Sequence, residues 1–376
     1  MLRAYLTVLG MDFTMMAAYT AMVLLAERTF RAGSLAVGAL VSIGSLIYVV
    51  ASVFFGRLCE RVDRRLILVG ATLCGTVSYV GFFLAGHLYQ LYVCASLNAL
   101  AGGAFWPAIE VRLTHGVTGL TRQRRIRNFN LCWCSSAAFA SFAAGALSDL
   151  GERIPFLVAA AVGLVCVGLV SQRDAEVHGE VHAAEPPGPE PPDPLLWASW
   201  IGSFAFNAAA AIVLGLLPKL ALNIQCTGTE VGIMFFAMRI AQFAVFLTLG
   251  VTSLWHDRFR WLFAVEFVGV AGGLLIAFGL SKIAFVGGAA LVGIGFGGAY
   301  YASLFHSVKG GRIGRKAGIH EAIVGGGSFF GPAVGGAIAE VSGCLIDPFL
   351  FLSTFGLLVM SSQTALILAA KRSRRT

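Results

Sequence analysis

Apolar runs of about 20 residues recur along the whole chain, each long enough to cross a bilayer core of about 30 Å. No other feature limits the fold so much, because a backbone inside hydrocarbon must satisfy its own hydrogen bonds, which a helix does within the segment. The 376-residue chain carries such runs at about 4–26, 33–55, 66–86, 91–111, 128–148, 154–172, 195–217, 230–254, 261–281, 283–307, 317–340 and 346–370. Its residues are 57% hydrophobic and 12% charged, against about 25% charged in an ordinary soluble domain. A soluble protein with a large core is thereby excluded. The expected fold class is an all-α membrane protein with about twelve transmembrane helices. The first run follows Arg3 and reaches Ala26, too long for a signal-peptide apolar region of roughly 7 to 15 residues. It reads as an uncleaved span.

Orientation follows from the basic residues, since short loops rich in Lys and Arg resist translocation. Alternate loops and the tail hold Arg57, Arg61, Arg64 and Arg65; Arg122, Arg124, Arg125 and Arg127; Arg258 and Arg260; Lys309, Arg312, Arg315 and Lys316; then Lys371, Arg372, Arg374 and Arg375. The opposite loops offer little beyond Arg28, Arg31, Arg153 and Lys282. Both termini are therefore expected in the cytoplasm. The net charge of +8 is accounted for by topology and by anionic lipid headgroups as partners. It requires no nucleic acid.

Between the sixth and seventh runs lies a polar stretch from Arg173 to Pro194 that ends in the Pro-rich run Glu185 to Pro194. Such composition predicts an extended linker. His178 and His182 within it read as solvated residues. On either side, the chain repeats itself. Val37-Gly38 through Asp63-Arg64 aligns without gaps at an offset of 194 with Val231-Gly232 through Asp257-Arg258. Gly102-Gly103-Ala-Phe-Trp106 pairs with Gly297-Gly298-Ala-Tyr-Tyr301 at 195, and Ala144-Gly145-Ala146 with Gly335-Gly336-Ala337 at 191. The expected organisation is a six-helix bundle over 1–172, a cytoplasmic linker over 173–194, and a second bundle with a basic tail over 195–376. Paired bundles of this kind are typical of transporters that rock about a midplane site.

The loop after the second run reads Gly56-Arg57-Leu58-Cys59-Glu60-Arg61-Val62-Asp63-Arg64-Arg65. It resembles the signature Gly-x-Leu-x-Asp-Arg-x-Gly-Arg-Arg of the major facilitator superfamily. Gly56, Leu58, Arg61, Arg64 and Arg65 match, while Glu60 replaces the usual Asp and Asp63 the usual Gly. The resemblance implies two pseudo-symmetric six-helix bundles and a cytoplasmic gate loop in which Glu60 takes the acid's role with Arg112 as its candidate partner. A carboxylate at a helix N-terminus gains about 0.3 to 1 kcal/mol. The run Gly327-Ser-Phe-Phe-Gly331-Pro332-Ala-Val-Gly335-Gly336 looks like the family's antiporter signature. That signature belongs to the fifth span, where Ala140, Ser141, Ala144 and Gly145 keep only the last Gly.

A charge deep in a span costs at least about 2.5 to 3.5 kcal/mol, so it faces a cavity or a partner. Asp12 and Arg239 lie near mid-depth and are expected in a substrate cavity, with a structural ion pair as the alternative. Glu110, Glu266, His306, His320 and Glu321 lie nearer the cytoplasmic ends, where snorkelling or capping serves as well. Glu321 stands out because the repeat places Asn130 opposite it. Trp106 and the pair Tyr300 and Tyr301 occupy matching positions in the fourth and tenth runs, which the resemblance places around the cavity. Trp133 shares a helical face with Asn130.

The expected function is secondary transport of a small organic solute by alternating access at a site between the bundles. Proton coupling through Asp12 or Glu321 would power it, and export is slightly favoured over uptake. A single chain is expected to suffice, as a multi-pass protein of a cell membrane, a bacterial inner membrane by the Arg-rich composition. A non-transporting sensor or assembly factor that keeps the fold is the alternative. An enzyme would need clustered His, Asp or Glu at depth, such as H-E-x-x-H, and a nucleotide-driven pump a phosphate-binding Gly-x-x-x-x-Gly-Lys motif; neither motif occurs. No cofactor or metal is expected. Cys226 and Cys344 fall in loops placed outside, which leaves a disulfide between them open.

Overall fold

Each apolar run becomes one long helix, and several helices continue beyond the run that predicted them. The computed structural model describes residues 1–59, 62–114, 119–172, 193–252, 254–255, 258–308 and 313–373, with only the backbone at 111, 114, 119–123, 126, 308, 313–318 and 373. Among these residues there are twelve α-helices and no strand: α1 (Leu2–Arg28), α2 (Ser34–Leu58), α3 (Arg64–Leu84), α4 (Leu88–Thr114), α5 (Gly119–Leu150), α6 (Ile154–Ser171), α7 (Pro194–Asn223), α8 (Gly228–Val251), α9 (Phe259–Gly279), α10 (Lys282–Val308), α11 (Ile313–Ser342) and α12 (Asp347–Ser373). All twelve contain a segment long and apolar enough to cross a membrane. The largest discrepancy is at α5, which starts at Gly119 rather than near 128. Hydropathy marks only the apolar part of a helix, whereas the hydrogen-bond ladder runs on through the polar residues before Asn130.

The helix ends are fixed by local chemistry. Asp63 caps α3 by accepting from the Arg65 amide at 2.9 Å, and Asp193 caps α7 in the same way from Leu195, ahead of Pro194 in the first turn. The Arg153 guanidinium, at the start of α6, donates to the terminal carbonyls of Phe83 and Ala85 after α3 at 3.1 and 2.7 Å. These carbonyls have no partner inside their own helix. Large apolar side chains such as Leu46, Val50 and Phe54 on α2 and Leu164 and Val165 on α6 stay exposed, as befits surfaces meant for lipid.

Two units make up the chain. The first comprises 1–32, 43–184 and 227–236, and the second 33–42, 185–226 and 237–376. Within the first, α1 packs on α4, α5 and α6, and α3 on α4 and α6. Within the second, α7 packs on α10, α11 and α12, and α9 on α10 and α12. Each packed pair of one unit thus has its counterpart six helices on.

Individual residues obey the same correspondence. In the second unit the start of α2 lies on α11: a Cβ added at Gly336 would sit 2.7 Å from the Ser34 carbonyl and 3.2 Å from Gly38 Cα. In the first unit the start of α8 lies on α5: a Cβ at Gly145 would sit 2.9 Å from Gly232 Cα, and one at Gly232 2.9 Å from the Ser141 carbonyl. These are the positions that the offsets of 194 and 191 equate. Arg31 and Gln225, also 194 apart, both adopt positive φ, at 47° and 60°. The duplication is therefore built into turns and contacts as well as into helix order.

Cys226 and Cys344 are not joined by a disulfide. Several basic and loop residues of the sequence reading, namely Glu60, Arg61, Lys309, Arg312 and the linker 173–192 with His178 and His182, lie outside the described residues.

Close backbone approach predicts which glycines can be enlarged. A Cβ at Gly293 would run into the Met238 carbonyl, whereas one at Gly168 meets nothing within 4 Å. Gly293→Val should lower the melting temperature of the detergent-solubilised protein by the equivalent of about 1 to 3 kcal/mol, and Gly168→Val should leave it unchanged.

Candidate functional site

In the second unit, three helices bring polar and aromatic groups into one continuous cluster. Arg239 and Gln242 lie on α8 one turn apart, so their side chains meet on one face, and Arg239 Nη1 donates to Gln242 Oε1 at 2.9 Å. Arg239 is 7% exposed and Gln242 fully buried. The guanidinium also stands 5.7 Å from the ring centre of Phe296 on α10, a cation–π contact that partly offsets its desolvation. Phe296 meets Tyr300, one turn along α10, at 6.1 Å. Tyr300 meets the edge of His320 on α11 at 4.9 Å, and Ser303 Oγ lies 2.7 Å from His320 Nδ1. Nε2 of His320 and Nε2 of Gln242 are buried without a hydrogen-bond partner. Donors or acceptors left open beside aromatic faces suit a solute with rings and polar groups.

Arg239 and Tyr300 thus belong to one side-chain cluster, linked through Phe296. Tyr301 packs against Phe246 and Trp255, at 5.8 and 5.6 Å, and Phe246 also meets Tyr300 at 5.7 Å. Glu321 is half-buried on α11 next to His320. A separate crevice in this unit is lined by Trp255, Arg258, Trp261, Leu262 and His306 among others. None of the expected cavity residues lines it.

In the first unit the expected residues fall into two groups. Asn130, 8% exposed, accepts a hydrogen bond from Trp133 Nε1 at 3.0 Å, and Trp106 packs edge-on against Phe129 at 5.9 Å. Trp106 and Trp133 both border the apolar core formed by Met11, Leu68, Phe105 and Ile109. Asp12 is 4% exposed on α1. Its carboxyl acts electrostatically on the fully buried Tyr79 hydroxyl of α3, which lies 3.0 Å from Thr14 Oγ1.

Of the loop after α2, Gly56, Asp63, Arg64 and Arg65 are described. Asp63 serves as the α3 cap, and Arg65 donates to the Ser171 carbonyl at the end of α6. Arg112 is half-buried near the end of α4. The acid proposed to face it, Glu60, lies outside the described residues.

The sequence leaves open whether Glu266, His306 and His320 snorkel, cap a helix end or face inward, and it gives no prominence to others. Glu266, His306 and His320, read as helix-end groups that could snorkel, are buried: Glu266 is fully enclosed, His306 is 5% exposed and His320 1%. Depth along a span fixes the distance to the interface but not which way a side chain turns. Asp149, at the end of α5, was passed over. It accepts from the amides of Gly228 and Thr229 and from Thr229 Oγ1, each at 2.7 Å, and from Arg28 at 3.1 Å. This carboxylate caps the start of α8 and binds α1, α5 and α8 together. An acid in the last turn of an apolar run followed by Gly-Thr at the start of another was the available signal.

With the geometry in place, comparison with known proteins identifies the class. The family model of the Major Facilitator Superfamily matches residues 4–308. The chain belongs to that superfamily of membrane transporters, and it is not an enzyme. Among solved structures, the nucleoside transporter NupG is similar at a TM-score of 0.75 and 12% identity, covering 97% of this chain and 99% of that one. A bacterial homologue of the human lysosomal transporter Spinster, inward-facing and occupied, is similar at 0.72 and 13%, covering 96% and 95%. At such identities the likeness is one of fold. No curated protein sequence matches the chain.

Removing the Ser303 hydroxyl would leave His320 Nδ1 buried and unpaired. Ser303→Ala should therefore destabilise the protein by about 1 to 3 kcal/mol, read as a lowered melting temperature. Ser361→Ala, an exposed serine that bonds only to Leu357 of its own helix, should have no effect.

Proposed function

We propose that the protein is a secondary active transporter that moves a small organic solute across a cell membrane by alternating access. The observation that carries this reading is the cluster of buried Arg239, Gln242 and His320 with half-buried Tyr300, in a chain of the superfamily whose members are transporters. Polar groups held inside a lipid-embedded bundle with open hydrogen-bonding positions are costly unless a ligand or an ion uses them. Phe296 and Tyr300 offer ring faces to a planar or amphipathic solute, and Trp106 and Trp133 are the proposed cavity residues of the first unit. The name of the nucleoside transporter contributes one solute class to test and no more.

In this reading Asp12 and Glu321 are the carboxyls available for proton coupling, Arg239 anchors a polar group of the solute, and export is the direction. The gate loop from Gly56 to Arg65 works with Arg112 on the cytoplasmic side. Residues 1–172 and 195–376 act as the two moving bundles, joined by the linker 173–194. The distribution of Lys and Arg supports cytoplasmic termini, and the chain works as a monomer in a bacterial inner membrane.

Reconstitution in liposomes tests the coupling. With a pH gradient imposed, flux of at least one probe from a panel of nucleosides and amphipathic aromatic dyes should depend on the gradient. Asp12→Asn or Glu321→Gln should abolish that dependence. Flux indifferent to the gradient, and unchanged in both variants, contradicts the proposal.

A further inference from the structure

The second unit holds a carboxyl that neither the candidate cluster nor the coupling proposal uses. Glu266 on α9 and Gln363 on α12 are both fully buried. Gln363 Nε2 donates to Glu266 Oε1 at 2.9 Å and to the Ala198 carbonyl of α7 at 2.8 Å. Both protons of that amide nitrogen are then committed. Two oxygens of the same pair are left without partners, Glu266 Oε2 and Gln363 Oε1. The helices packed on α9 are α7, α10 and α12, and among the described residues no charged or titratable group on them acts on Glu266. The backbone of α7 is shaped to admit the pair. A Cβ at Gly202 would lie 2.7 Å from Gln363 Nε2 and would strike Glu266 Oε1.

A carboxylate here would be a full charge, enclosed in lipid-embedded protein, with a single neutral donor to stabilise it. A proton removes the charge and satisfies both orphaned oxygens at once. Carried on Oε2, it turns that oxygen into a donor and leaves Gln363 Oε1 as the open acceptor on the same partner amide, the complement that a reciprocal acid–amide pair needs beside the bond from Gln363 Nε2 to Oε1. The second amide proton points out of that ring, where it meets Ala198.

We propose that Glu266 and Gln363 form a proton-binding site between α9 and α12, in which the acid–amide pair holds one proton inside the second unit. Release is an acid dissociation. The Oε2–H bond breaks, its electron pair stays on Oε2, and the proton passes to water admitted when the two helices part. The site does not depend on the transport reading, and Asp12 and Glu321 take no part in it.

Infrared spectroscopy of the full-length protein at neutral pH, in H2O and in D2O, tests the site directly. The C=O stretch of a protonated carboxyl should be present and should shift in D2O. It should be lost in Glu266→Gln, which keeps the shape and one amide pairing, and retained in Asp12→Asn and Glu321→Gln. Gln363→Leu should move the band to the higher frequency of an acid without that partner. An unchanged carboxyl band in Glu266→Gln protein overturns the proposal. If Glu266→Gln fails to fold, a band that stays in place in Gln363→Leu overturns it instead. A band that disappears when sodium chloride replaces choline chloride also overturns it, because the pocket would then hold sodium.

Discussion

Helix backbones in this protein meet across glycine, and the placement of nearly every other group depends on that contact. Lipid offers no hydrophobic drive for one apolar helix to join another, so association rests on close van der Waals packing and a few interhelical hydrogen bonds. Gly103 sets α4 against Tyr48 and Ser52 of α2, and Gly297 sets α10 against Gln242 of α8. One turn beyond each glycine stands an aromatic residue, Trp106 or Tyr300, whose direction is fixed by the packed face behind it. The glycine contacts therefore determine the helix spacing and, through it, where the rings point.

Against this apolar packing the buried polar groups fall into two kinds. Some find partners within the fold: Asn130 accepts from Trp133 on the same helix, and Trp200 of α7 donates to Ser307 of α10 and so ties those two helices together. Others retain an open position, including Nε2 of His320 and of Gln242. An open polar atom in a dry interior is a standing cost. The second kind is the natural place for a ligand or a proton to act, and in the second unit its described members include groups on α8, α9, α11 and α12.

The sequence makes the twelve spans legible because hydrocarbon demands one helix per apolar run, and the duplication legible because glycines and turns recur at a nearly constant offset. Gly38 and Gly232 touch equivalent partners, as that offset implies. Arg239 and Tyr300 were recognisable by the rarity of a charge at depth and by the repeat. Glu266 was not, since its place near the end of a run suggested a solvated side chain, and only the rotation of α9 turns it inward. Gln363 gives no warning, because an amide carries no charge to mark it among the residues of α12. Asp149 escaped because its value lies in reaching the start of α8, a contact that no count along one helix reveals.

Alternating access is the central claim, and spin-label distances test it most directly. Arg31 and Gln225 stand before α2 and α8, and Arg57 and Val251 stand at the far ends of the same helices. In protein freed of native cysteines, nitroxides at the pair 31 and 225 and at the pair 57 and 251 should give distance distributions that shift in opposite senses when pH or solute is changed. Distributions that stay fixed at both ends, or widen and narrow together, would contradict it.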